Sequence, residues 1–132
     1  MDKDTRPINV GMGDIMHMIF AWPITALTSI THRVAGVVLF VGVAFALFAL
    51  EMSLASEESF NALKGMIVSP LGKFITWGLL AGLAYHFVAG IKHLIQDMGG
   101  EETLEAGIFG AKATILFSAI LIVLAALWVI PA

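Results

Sequence analysis

Residues 22–50 read WPITALTSITHRVAGVVLFVGVAFALFAL, and Arg33 is the single formally charged side chain among them. Crossing roughly 30 Å of hydrocarbon takes about 20 helical residues at a rise of about 1.5 Å each. The stretch from about Trp22 to Leu50 therefore predicts a membrane-spanning helix. Two further apolar stretches meet the same criterion, from about Leu71 to Leu94 and from about Ile108 to Ile130. Composition agrees: 59% of the 132 residues are hydrophobic and 13% charged, where soluble domains carry roughly 25% charged residues. Mean hydropathy is +0.94. The expected fold is an all-α membrane protein, with three transmembrane helices in an antiparallel up-down bundle.

Polar punctuation sets the boundaries. Glu51 to Lys64, with Ser53, Ser56, Glu57, Glu58, Ser59 and Asn61, reads as the connection between the first two spans, and Ser69-Pro70 as the start of the next helix. Gly99-Gly100, within Asp97 to Glu102, stops the second span. Glu101, Glu102 and Glu105 read as loop and helix-start charges. The polar opening, Met1 to Asp14, lacks the basic-then-apolar build of a secretory signal. It reads as a tail outside the bilayer, followed by an interfacial segment, Asp14 to Phe20, whose His17 receives no site. One membrane domain, 1–132, is expected, with residues 1–21 as cytoplasmic or interfacial tail. With the N-terminus inside, Lys3, Arg6, Arg33, Lys92 and Lys112 fall toward the cytoplasm against Lys64 and Lys73 on the far side. That bias predicts the N-in orientation.

Several chemistries are excluded. The net charge is -3, without the basic surface that nucleic acid requires. The chain has no Cys, hence no disulfide, thiolate metal site or cysteine nucleophile. Any metal must be held by His or carboxylate. Trp22, Trp77 and Trp128 read mainly as interfacial anchors, and the Met and Phe residues as lipid-facing or core bulk.

Two polar clusters interrupt the apolar spans: Ser29-Ile30-Thr31-His32-Arg33, and His86 with Gly90-Ile91-Lys92-His93. Ionisable groups at bilayer depth are costly and mark functional sites. Arg33 lies eleven residues after Trp22 and His86 eleven before Asp97, so antiparallel helices bring both to one depth, roughly 16 Å from the same edge. Ser29 and Arg33, four residues apart, share a helix face, and His32 points about 100° away. On the second helix Gly78, Gly82, His86 and Gly90 form a ridge. Small residues around a His suit an axial imidazole ligand to a haem lying across the helix; such ridges are also common helix-packing faces. His93, two turns from His86, is too far along the helix to share one metal ion with it.

These motifs resemble the cytochrome b membrane-anchor subunit of succinate dehydrogenase, respiratory complex II. The resemblance rests on Arg6-Pro7-Ile8-Asn9, on Pro23-Ile24-Thr25-Ala26 leading into Ser29 to Gly36, on Ala84-Tyr85-His86-Phe87-Val88-Ala89-Gly90-Ile91-Lys92-His93 with Asp97, and on Glu101 to Gly107. It implies that Ser29 and Arg33 bind ubiquinone and that His86 is the axial ligand of haem b, with the opposite ligand supplied by a second anchor subunit that completes the bundle. His32 and Arg33 match positions near the haem propionates, and His93 is a further candidate for that environment. It also implies flavoprotein and iron-sulfur partner subunits that deliver electrons from succinate, and a bacterial inner or mitochondrial inner membrane. The chain would thus complete a catalytic assembly without oxidising succinate itself. Two positions depart from the pattern: Ala35 replaces a usual Ser or Thr, and Lys92 a usual Arg, which removes bidentate recognition of a carboxylate.

Other functions compete. A fumarate reductase anchor uses similar parts in the reverse direction. A proton pathway needs a continuous polar lining, yet the third span offers only Lys112, Thr114 and Ser118, toward one end. A haem-free structural anchor leaves Arg33 unexplained.

Overall fold

The computed structural model describes residues 12, 13, 16, 21–99 and 103–132. The tail motif Arg6 to Asn9, His17 and Glu101-Glu102 lie outside the described residues. From Ile24 onward the described residues form, in order, α1 (Ile24–Ala55), α2 (Glu57–Val68), α3 (Pro70–Asp97) and α4 (Leu104–Val129). Three of them, α1, α3 and α4, are long and apolar enough to cross a membrane, as the sequence predicts. Their outer surface is apolar: Phe40 is 81% exposed, and Phe45, Phe74, Phe109 and Leu127 are exposed as well. A surface of this kind is stable against lipid, and this is a membrane protein.

Contacts along the helices define an antiparallel bundle. Leu79 of α3 meets Gly42 of α1, Leu39 meets Gly82, and His86 meets Gly36, so residue numbers rise on one helix as they fall on the other. Between α3 and α4 the same reversal links Lys92 with Gly110, Trp77 with Ile122 and Lys73 with Ile130. Gly107 near the start of α4 faces Thr25 near the start of α1, so these two spans run parallel. In this up-down order every span touches the other two.

The expected loop from Glu51 to Lys64 is instead helical. α1 runs on to Ala55, and α2 begins at Glu57 after a break at Ser56 alone. The physical reason is helix-start chemistry that reads as loop polarity. The Ser56 hydroxyl accepts from Ser59 N–H, and Glu57 and Glu58 occupy the first turn, where the helix dipole favours negative charge. The next start is as predicted, with Ser69 as N-cap accepting from Gly72 N–H at 3.1 Å and Pro70 opening α3. Gly72 is obligatory at this corner, because a Cβ there would overlap the Met66 carbonyl. Gly99, at φ +90°, follows the end of α3 in the left-handed region that glycine enters without strain. Thr103 caps α4 through Ala106 N–H, with Glu105 in its first turn as expected.

Candidate functional site

The two polar clusters meet at the α1–α3 seam. The His32 and His86 rings stack with centroids 4.2 Å apart and planes 30° from parallel. His93 lies on the other side of His32, its centroid 5.1 Å away. His32 is thus held between the two imidazoles of α3, and all three are half-buried. The juxtaposition follows from spacing. His86 and His93 recur after two turns on one face of α3, and antiparallel alignment lays that face along His32.

Each imidazole has a distinct polar environment. His86 Nδ1 lies 3.2 Å from the His32 carbonyl oxygen. A carbonyl can only accept, so Nδ1 carries the proton and Nε2 keeps the lone pair. An Nδ1–H fixed on a backbone carbonyl is the usual way that protein orients a metal-binding histidine. Gly36 provides the room: a Cβ at this position would stand 3.1 Å from His86 Cε1. His32 Nε2 is buried without a hydrogen-bond partner among the described residues, facing the Cα side of Gly90. Among the described residues no three His, Asp or Glu side chains converge to hold a bare ion, so a metal bound here by His86 requires ligands from elsewhere.

Ser29 and Arg33 share a face of α1 that neighbours the one carrying His32. Ser29 is half-buried and Arg33 exposed, next to the exposed apolar side chains Ile30, Val34 and Val37. α1 carries no acidic residue before Glu51. A guanidinium amid apolar surface, nine residues into the span, therefore faces a partner that its own helix does not supply. The glycine ridge is mostly a helix contact: Gly82 faces Leu39 and Gly90 faces His32 on α1, whereas Gly78 meets open space. Ala35 is buried. The Lys92 stem lies along Gly110 of α4, where it helps to line an apolar cavity of about 370 Å³ between α3 and α4, so the departure from Arg falls on the α4 side of α3.

Three contacts escape a reading by residue type. Tyr85, the chain's single Tyr, donates to Thr28 O at 3.0 Å and shares a short hydrogen bond with the Thr31 hydroxyl. Its signal was present, since a phenol in a membrane span needs a partner, but the partners lie on another helix. Gly36 is the second, a small residue whose use appears only when His86 sits above it. Trp77 is the third: its indole donates to Ile122 O at 3.1 Å, so it bridges α3 to α4 besides any interfacial role.

A model of the succinate dehydrogenase/fumarate reductase transmembrane subunit family matches residues 14–127, which include both polar clusters. The chain belongs to this family. Among its relatives, the succinate dehydrogenase cytochrome b556 subunit of Coxiella burnetii (strain RSA 493 / Nine Mile phase I) is 34% identical over 125 residues, covering 94% of this chain and 96% of the relative. The cytochrome b556 subunit of Paracoccus denitrificans is 30% identical over 124 residues, 94% of this chain and 92% of the relative. The mitochondrial cytochrome b560 subunit of Sus scrofa is 31% identical over 106 residues, 76% of this chain and 63% of the relative. The resemblance to the cytochrome b anchor subunit of complex II thus holds across nearly the full length, and the chain is a membrane subunit of an oxidoreductase complex of the succinate dehydrogenase type.

Proposed function

We propose that this chain is the haem b-binding anchor of a succinate:quinone oxidoreductase and forms part of its quinone-reduction site. Arg33 carries the reading: a cation exposed in the N-terminal third of the span, one residue from a stacked histidine pair, in a helix without an acidic partner before Glu51. A quinone oxygen that gains negative charge on reduction meets that need. The Ser29 hydroxyl, on the same face, donates to the quinone carbonyl oxygen, while the Arg33 guanidinium stabilises charge as it develops there. Two electrons and two protons convert quinone to quinol, and the electrons originate from succinate oxidised by partner subunits.

The His86 environment fits a haem. Nδ1–H is engaged by the His32 carbonyl, Nε2 is the remaining lone-pair nitrogen, and Gly36 leaves space for the ring. His86 would hold the haem, which would supply a one-electron centre, and a second anchor chain would provide a further ligand and the rest of the pocket. His32, Arg33 and His93 serve the propionate environment. The N-terminal side faces the cytoplasm or matrix, where the flavoprotein and iron-sulfur subunits dock, in a bacterial or mitochondrial inner membrane.

Two variants of the assembled complex test the reading. Arg33→Leu loses quinone reduction by about 10²-fold or more, while succinate still reduces a soluble dye. His86→Ala loses the haem b absorbance. Full quinone reductase activity in Arg33→Leu rejects the quinone site, and an unaltered haem spectrum in His86→Ala rejects the ligand.

A further inference from the structure

Tyr85 and His86, consecutive on α3, reach the same stretch of α1. Tyr85 Oη donates to Thr28 O at 3.0 Å, and His86 Nδ1 donates to His32 O at 3.2 Å. The two carbonyls are one helical turn apart, and Ser29 lies between them. Tyr85 also hydrogen-bonds the Thr31 hydroxyl, which itself lies 2.7 Å from Leu27 O and 3.3 Å from Thr28 O. Proton accounting makes the cluster tight. The phenol and the hydroxyl each have one proton to donate. With Tyr85 donating to Thr28 O, Thr31 donates to Tyr85. With Thr31 donating to Leu27 O, Tyr85 donates to Thr31. Both arrangements tie the phenol to the Thr28–Thr31 turn that holds Ser29. Thr28 is buried, Tyr85 half-buried and Thr31 exposed on the surface of the span, where hydrocarbon competes for such bonds less than water does.

We infer that Tyr85 is a positioning residue for the quinone site: it clamps the Thr28–Thr31 turn from α3 and thereby sets where the Ser29 hydroxyl stands. The inference rests on the quinone-site reading above. Tyr85 touches no substrate; it acts through the backbone of α1. Because its neighbour His86 grips the next turn, α1 is held in rotation by two adjacent side chains of α3, and Ser29 and Arg33 are left on the free face.

The test uses the complete complex in membranes, with a short-chain ubiquinone as acceptor. Tyr85→Phe keeps the ring and removes the hydroxyl. Its kcat/KM for quinone falls about tenfold, chiefly through KM. Succinate-to-dye activity and the haem spectrum stay as in the wild type. Thr31→Val shows the same split, Thr31→Ser restores near-wild-type kinetics, and the double variant Tyr85→Phe/Thr31→Val is no worse than the more affected single, because both remove one network. An unchanged KM in Tyr85→Phe and Thr31→Val overturns the inference. So does loss of haem together with activity in both, which assigns the phenol to support of His86. Ser29→Ala and Arg33→Leu run alongside separate the two levels. If they abolish quinone reduction while Tyr85→Phe leaves the quinone KM unchanged, Tyr85 alone is misassigned; if they leave quinone reduction intact, the quinone site itself is.

Discussion

The two sides of α3 differ in kind. Toward α1 it presents hydrogen-bonding groups: Tyr85 on Thr28 and Thr31, His86 on the His32 carbonyl, and two imidazoles beside His32, His86 stacked on it and His93 tilted against it. Toward α4 it lays the Lys92 stem on Gly110 and makes polar links from Trp77 to Ile122 and from Lys73 to Ile130, while α4 itself buries the small residues Ala111, Thr114 and Ser118 in the bundle. Helices in lipid gain little from burying apolar surface, so they associate through close van der Waals contact and hydrogen bonds. The α4 side combines close packing with two hydrogen bonds near the far ends of the helices. The α1 side combines close glycine contacts with hydrogen bonds at the residues of the proposed site. One helix thus carries the proposed site on one face and a separate helix seam on the other.

Substitutions that act on one seam and spare the other would sharpen this division. Gly36→Leu has the largest expected effect, because even a Cβ stands 3.1 Å from His86 Cε1; most of the haem b absorbance of the purified complex should be lost while the helical content of the subunit is kept. A normal haem spectrum in that variant would break the comparison at its functional side. Ala111→Leu should do the reverse. Ala111 is fully buried, and overpacking there costs about 1–3 kcal/mol, read as a lower thermal midpoint of the complex with haem absorbance retained below it. Trp77→Phe removes the bond to Ile122 O and costs about 1 kcal/mol, measurable by the same melt. Lys73→Met is the mildest: its ammonium sits 2.9 Å from the Ile130 carbonyl at the end of α4, and its loss costs about 0.3–1 kcal/mol. Quinone kinetics that changed in Trp77→Phe or Lys73→Met would show that the two seams are coupled.

Particular residues show why the site was partly legible. His86, His32, Ser29 and Arg33 announce themselves because ionisable and hydroxyl groups at bilayer depth are rare and expensive, and fixed helical spacing then assigns their faces. Tyr85, Gly36 and Trp77 act through partners 45 or more residues away in the chain. No local pattern names such partners. The ridge from Gly78 to Gly90 shows the same limit, since small residues suit a prosthetic group and a neighbouring helix equally, and the α1 side chains settle Gly82 and Gly90 as helix contacts. Glu57 and Glu58 misled in the opposite way, because acidic residues that start a helix have the composition of a loop.

By itself, the amino-acid order determined three spans, their up-down order and the common depth of Arg33 and His86, because hydrocarbon thickness and helical rise leave few alternatives. Only the tertiary structure decided the rotation of α1 against α3, and with it that His32 turns inward to stack on His86 while Arg33 stays outward. Rotation about a helix axis is set by side-chain fit and hydrogen bonds between helices, at Gly36, Thr28, Thr31 and Tyr85, and that information exists only once the helices meet.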